Sequence, residues 1–435
     1  MGPPEGFSVP LRNIYQNSSI HPRNNCSGGV RLVWGNSIWY HEPKKISSLG
    51  GLFINIVVAM DSFKGSLSSM EAGQAVRAGI AQANPSIPVT VRPLADGGEG
   101  TVEALISGLG GQWQQVTVTG PLGAPVVCSY GILPDSGTAV VEMSGAAGLT
   151  LVPELQRNPL YTTTYGVGEV IRDAMAKGCR RFLVGIGGSA TNDGGVGMLQ
   201  ALGYGFFDAE GRPIPHGAQG LSHLARITCD GVLPQLAQCE FRVACDVTNV
   251  LCGPQGCSAI YGPQKGAIPE MIPNMDQWLS HYAQLTQAVC PDTAHPNAPG
   301  TGAAGGLGFA FQTFLRGVLE PGVSIVLEET HLEDFIRDAD LVITGEGRLD
   351  GQTAMGKAPV GVAQLAKRHH KPVVALAGCI TSDATACHTQ GIDAFFPILS
   401  GPCSLEQAME PDTARANLAA TAQQVFRLFQ AGMTN

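Results

Sequence analysis

A short β-branched run, a glycine-bearing polar loop and then a helical segment recur along this chain of 435 residues. The unit first appears at residues 54–60 (INIVVAM), a run composed like a strand buried on both faces of a parallel sheet. The loop 61–66 (DSFKGS) follows. Ser68, with Glu71 three residues on, spells a capping box and predicts a helix to about residue 83, which Asn84 and Pro85 stop. A run at 88–93 then leads into the loop 95–101 (ADGGEGT) and a helix to residue 109. Strand, loop and helix in this order build an open parallel sheet with crossover helices.

The rhythm breaks after Trp113. Runs at 116–119, 126–132 and 139–143, joined by turns such as Gly120 and Pro121, predict antiparallel strands. A helix at 166–177, a strand at 181–185, a loop at 187–195 and a helix at 196–202 follow. A strand at 240–244 then runs into Asp246, and a helix ends at 315 after the glycines of 302–306. The tail resumes the opening rhythm. It carries a strand at 340–344, a loop at 345–356, a helix at 359–368, strands at 373–377 and 394–397, and a helix at 412–430. The expected architecture is α/β, with a discontinuous doubly wound parallel-sheet domain (54–115 plus 325–435) and an inserted mixed α/β domain (116–324). Ligands are expected in the cleft between them. Residues 1–53, rich in Asn, Ser, Pro and Gly, read as a poorly ordered extension.

Composition narrows the function. Apolar residues make up 44% and charged residues 14%, the reverse of a disordered chain. The net charge of −9, without a basic stripe, excludes nucleic acid as a partner. An anionic ligand would need a few Lys or Arg gathered locally. The twelve cysteines form no CxxC and no zinc spacing, so they read as small core residues in a reducing compartment. No apolar run reaches the ~18–20 residues of a membrane span, and the N-terminus has no secretory pattern. Gly6 stands where myristoylation needs Ser or Thr. The expectation is a cytoplasmic protein with no membrane partner. The oligomeric state stays open, a homodimer included.

The 57 glycines cluster at expected strand ends, where backbone can approach a ligand. In DSFKGS, Lys64 suits a phosphate or carboxylate and Asp61 a hydroxyl or metal, against the plainer reading of a polar turn. In ADGGEGT, Asp96 and Glu99 suit magnesium or a general base, but Asp96 fits an N-cap equally well. The sharpest local signal is 185–195 (GIGGSATNDGG), where successive amides precede a helix and form an anion nest. Ser189 and Thr191 add hydroxyls there, and Asp193 a carboxylate. Residues 351–357 approach a P-loop, but Ala358 replaces its Ser or Thr and the match is weak. Glu346, Arg348, Asp350 and Lys357 still gather at that strand end, Arg348 being suited to a bidentate grip on an anion. Asp246 and Lys265, in ACDVTN and YGPQKGA, read individually as structural.

Seven motifs in order, DSFKGSLS, LADGGEGT, GIGGSATNDGGVGM, ACDVTN, YGPQKGA, GAAGGLG and VITGEGRLDGQTAMGKAPVGVA, resemble bacterial glycerate kinases of the glycerate 2-kinase type. The resemblance runs from about residue 54 to the C-terminus. Met60 departs from the proline usual before the Asp, and residues 1–53 have no counterpart. The resemblance implies a Rossmann-like or flavodoxin-like domain with an inserted α/β domain, and MgATP-dependent phosphorylation of D-glycerate, at the 2-hydroxyl. The expected roles follow from it. Gly187, Gly188, Ser189, Thr191 and Gly194 cradle ATP phosphates, and Lys64 neutralises the transferring group. Asp193, Asp246 or Glu346 holds magnesium. Asp61, Ser62 and Arg348 bind substrate, Arg348 on the carboxylate, and Asp96 or Asp193 takes the hydroxyl proton. The rivals are a kinase for another small hydroxy acid, a kinase giving 3-phosphoglycerate, and a non-catalytic nucleotide- or acid-binding regulator.

Overall fold

The computed structural model describes residues 54–98 and 100–433. The expectation for residues 1–53, and Glu99 of the second loop, lie outside the described residues. The strands are β1 (Ile56–Met60), β2 (Val89–Val91), β3 (Gln112–Thr119), β4 (Pro125–Leu133), β5 (Thr138–Glu142), β6 (Arg181–Gly185), β7 (Gly205–Phe207), β8 (Arg226–Thr228), β9 (Glu240–Ala244), β10 (Val318–Glu320), β11 (Leu341–Leu349), β12 (Val373–Ile380) and β13 (Ala394–Pro397).

The first sheet is parallel throughout, in the order β2-β1-β11-β12-β13. This is the flavodoxin-like doubly wound order, and its direction reverses between β1 and β11. All five residues of β1 are buried, as an apolar run between two helix layers requires. Helices Ser69–Ala83 and Pro411–Met433 cover one face, through Val76, Ile80, Leu418 and Phe426. Helix Ala358–Arg368 covers the other, through Val360, Val362 and Ala363. The capping box forms as the sequence predicts, with Glu71 Oε2 accepting from the Ser68 amide at 2.9 Å.

The second sheet runs β10-β9-β6-β5-β4-β3. Strands β10, β9, β6 and β5 are parallel, while β4 and β3 continue antiparallel. Helix Tyr165–Ala176 buries Val167, Val170 and Ile171 against one face, beside Phe182, Val184 and Val243. Helix Thr101–Leu109 sets Val102, Leu105 and Ile106 against Leu133, Val140 and Leu183. The molecule is thus α/β with a five-stranded parallel sheet and a separate mixed sheet.

Several elements depart from the expectations, among them β7, β8, β10 and helix Gly322–Glu329, which stand where no element is expected; two are instructive. Strand β11 continues to Leu349 instead of becoming loop at 345, because β12 also continues and pairs Glu346 with Ala377 and Arg348 with Cys379. Helix Ile272–Val289 occupies a stretch in which the sequence analysis places no element. Proline at its start and a mixed polar sequence hide its period, although Met275, Leu279, Tyr282 and Ala283 form the buried stripe.

The second glycine loop crosses the start of helix Gly322–Glu329 at backbone contact. A Cβ on Gly97 would lie 2.5 Å from the Gly322 Cα and 2.8 Å from the Ala244 Cβ, and Gly97 has φ +88°. A Cβ on Gly322 would lie 2.3 Å from the Asp96 carbonyl oxygen. Gly123, in the β3–β4 turn, has φ +84° and nothing within 4 Å of its Cβ position. Gly123→Ala should therefore cost only backbone strain, about 1–2 kcal/mol. Gly97→Ala adds a clash that backbone must move to relieve, and should cost roughly twice that or more. Urea melts of the two variants check the difference.

Candidate active site

The reversal between β1 and β11 sets the site. Met60 pairs with Gly345, so Asp61, just past the end of β1, stands beside Glu346 in the continuing strand β11. The Asp61 amide donates to Gly345 O at 2.8 Å. Asp61 is only 5% exposed. Its pKa is pushed up to about 7, first by burial and then by the charge on Asp96, with Glu346 adding; the Ser62 amide and Lys64 oppose the shift. Ser62 N donates to Asp61 Oδ1 at 2.7 Å.

Asp96 lies at the centre of this group. Its Oδ1 accepts from Gly98 N at 3.0 Å, and its Oδ2 lies 3.8 Å from Lys64 Nζ. Glu346 accepts from Thr353 Oγ1 at 2.6 Å and is raised chiefly by burial, with Asp350 and Asp96 adding and Lys357 opposing. Asp246, just past β9, accepts from Gly322 N at 3.0 Å; burial raises it, and Asp96 adds. Four carboxylates from both sheets thus converge. Asp61, Glu346 and Asp246 each feel the charge of Asp96.

Two cavities meet at this group. The smaller, of about 380 Å³, opens at the ends of β6 and β9 and is lined by Gly97, Gly98, Gly187, Gly188, Ser189, Asp246 and Lys265. The larger, of about 1110 Å³, lies between helices Gly322–Glu329 and Ala358–Arg368 and is lined by Asp96, Asp246, Val323, Leu327, Lys357, Leu365 and Arg368. Cys245 and Asp246 line both.

The expected residues divide. Asp61, Ser62, Lys64, Asp96, Asp246 and Glu346 come together, and Gly187, Gly188 and Ser189 face the smaller cavity. The rest of the nest does not. The Gly194 amide donates to Gly305 O at 2.9 Å, so it is not available to a phosphate. Thr191 is fully buried, and its carbonyl accepts from Lys265.

Asp193, expected as base or metal ligand, lies buried behind the cavities with its oxygens already bonded. It is 1% exposed, and its two oxygens accept from Thr164 N and Oγ1, Gly195 N and Gly197 N at 2.8 to 3.3 Å. Burial raises its pKa against the pull of those bonds. It is a strut that ties the glycine loop to the segment before helix Tyr165–Ala176. Arg348 lies apart from the cavities. Its side chain is 65% exposed, pairs with Asp350 at 3.5 Å and lines neither cavity. Lys265, which the sequence marks only as a glycine-turn lysine, is 2% exposed and lines the smaller cavity.

Among the described residues no three His, Cys, Asp or Glu side chains form a ready metal cage. Magnesium needs none, because it binds through one or two carboxylates plus phosphates and waters. The mutually repelling set of Asp61, Asp96, Asp246 and Glu346 fits that requirement. Among the described residues no helix is long and apolar enough to cross a membrane.

A cleft with carboxylates on the wall between its two chambers, and glycine loops and lysines facing inward, has the chemistry to bring two anions together around a cation. That places the protein in the class of α/β enzymes that transfer groups between small anionic ligands. The comparisons specify the class. The Glycerate kinase family profile matches residues 56–430. The glycerate kinase of Haemophilus influenzae is 46% identical over 375 residues, covering 86% of this chain and 98% of that protein. The glycerate 2-kinase of Escherichia coli is 46% identical over 383 residues, covering 88% and 100%. A crystal structure of a candidate glycerate kinase 2 from Salmonella typhimurium superposes with a TM-score of 0.81 at 46% identity, covering 88% of this chain and all of that one. The chain belongs to the glycerate kinase family, a family of phosphotransferases.

Two variants separate strut from site. Asp193→Asn sets an amide N–H against backbone donors and should lower unfolding free energy by about 2–4 kcal/mol in urea melts. Asp61→Asn should act in the opposite sense. The raised pKa means that the folded protein holds a proton on Asp61 up to about pH 7, so its burial weighs on stability increasingly from about pH 4 to 7. The variant should therefore be more stable than wild type at pH 8, by on the order of 3–4 kcal/mol. The gap should close toward pH 4 in thermal or urea melts.

Proposed function

We propose that this protein phosphorylates D-glycerate at its 2-hydroxyl with MgATP, in the cytoplasm, giving 2-phosphoglycerate and ADP. The observation that carries the reading is Asp246, which lines both cavities, with Asp96 beside it in the lining of the larger one. The printed name of the Escherichia coli relative, glycerate 2-kinase, supports the choice of hydroxyl.

In this reading the nucleotide occupies the larger cavity, against Val323, Leu327 and Leu365. Its phosphates run to the N-terminus of helix Ala358–Arg368, where the helix dipole and Lys357 favour negative charge. Glycerate occupies the smaller cavity. Asp246 and Glu346 would hold magnesium, which neutralises phosphate charge when bound. Asp96 accepts the hydroxyl proton as the glycerate oxygen bonds to the γ-phosphorus and the bond to the β-phosphate oxygen breaks. Lys64, 3.8 Å from Asp96, neutralises charge on the moving phosphoryl group. Asp61 and Ser62 hold the floor of the site at the strand reversal. The inward-facing chambers keep bulk water from the γ-phosphate. We assign residues 54–100 with 325–435 to one domain and 101–324 to the other, moving the expected boundary at 115 because β3 pairs with β4 from Gln112 and helix Thr101–Leu109 packs on the mixed sheet; the cleft then lies along their junction.

ADP release should depend strongly on D-glycerate, and the product should feed enolase directly. A product that needs a mutase first would move the phosphate to the 3-hydroxyl. No glycerate-dependent turnover from folded protein would overturn the reading. Lys64 is 62% exposed, so Lys64→Ala should leave the melting curve in place while lowering kcat by about 10²–10³-fold.

A further inference from the structure

Lys265 is a buried cation with no carboxylate bonded to it. It sits on a short turn, Pro263–Lys265, closed by Gly266 at φ +93°, whose Cβ position would be 2.1 Å from Arg157 O. The turn is therefore seated tightly, and the side chain points inward at 2% exposure. Nζ donates to Ser189 Oγ at 2.8 Å and to Thr191 O at 2.7 Å. An ammonium group carries three hydrogens, and these two acceptors are neutral. Among the described residues no carboxylate lies within salt-bridge distance of Nζ. Asp193 favours the charge only through space, its own oxygens being committed to Thr164, Gly195 and Gly197. Burial lowers the lysine pKa to about 8, which leaves the group mostly charged at neutral pH. A buried charge without a counter-charge is expensive, and an anionic ligand at this place relieves it.

We propose that Lys265, with Ser189 and the backbone of Gly187 and Gly188, is a carboxylate site that receives the acid group of D-glycerate and turns its hydroxyl end toward the neighbouring carboxylates Asp246 and Asp96. The inference rests on the glycerate kinase reading and assigns the acid end of that substrate. The charge balance selects a carboxylate over a polyphosphate. Lys265 is the one cation and Asp246 the one carboxylate in the lining of the smaller cavity, so nothing there offsets the several charges of a polyphosphate, whereas a single carboxylate can bond Lys265 directly. The larger cavity has the volume for a nucleotide; its lining pairs Lys357 and Arg368 with Asp96, Asp246, Glu328, Glu333 and Asp334, so phosphates enter it together with a cation. A three-carbon acid anchored on Lys265 stays within the same chamber as Asp246.

The test is calorimetric binding of D-glycerate alone and of MgATP alone to wild type and Lys265→Met. D-glycerate affinity should fall about 10–100-fold, the loss expected for one charge-assisted hydrogen bond, while MgATP affinity stays within about twofold. A loss of MgATP affinity with D-glycerate binding intact would assign Lys265 to a phosphate instead. No change in either, with a native melt, would make it a structural lysine. If the variant fails to fold, wild type decides: the methyl ester of D-glycerate should bind at least tenfold more weakly than the acid, and equal binding overturns the site. A wild type that turns over D-glycerate yet binds acid and ester alike refutes only this inference. A wild type with no glycerate-dependent turnover refutes the kinase reading itself.

Discussion

The contact between Gly97 and Gly322 brings the two sheets to the same point. Neither position admits a side chain, and one of them requires a left-handed backbone. Because the chains touch main chain to main chain, the loop that carries Asp96 lies directly over the end of β9 that carries Asp246. The Gly322 amide then fixes the Asp246 carboxylate. A methyl group at this crossing would separate two carboxylates that belong to different sheets.

Convergence of like charges is itself unfavourable. Burial and mutual repulsion raise Asp61, Glu346 and Asp246, so the site is held together by the Ser62 and Gly322 amides, the Thr353 hydroxyl, and the charges of Lys64 and Lys357. Such a group is poised to accept positive charge. On the opposite side of the smaller cavity the balance is reversed, with a buried lysine facing neutral partners. The cleft is therefore polarised from one chamber wall to the other, and that polarity distinguishes the two ends of a hydroxy acid.

Local signals in the sequence were legible where a single segment determines its own structure. The β-branched run of β1, the Ser68–Glu71 capping box, and strands β6, β9 and β13 follow from period and cap chemistry alone. The carboxylates at strand ends were equally visible, since position after a parallel strand already implies a site. Long-range partners were not legible. Asp193 looks like a cleft carboxylate in a glycine loop, and only the return of Thr164, twenty-nine residues earlier in the chain, reveals it as a strut. Strand β11 extends through Gly345 and Gly347 because β12 offers a partner, which no local propensity encodes. Lys265 carries no local mark of burial at all. Its environment is assembled from Ser189 and Thr191, more than seventy residues away.

Helix Gly322–Glu329 puts Val323 into the core behind the parallel sheet and Ile325 and Val326 into the core beneath the mixed sheet, within a single turn. Each lobe therefore borrows part of its interior from a segment that the other also needs. Melting either lobe strips a wall from its neighbour, so the cores are thermodynamically interdependent although their sheets share no strand. Cooperativity here comes from joint ownership of one helix, and loosening that helix weakens both lobes at once.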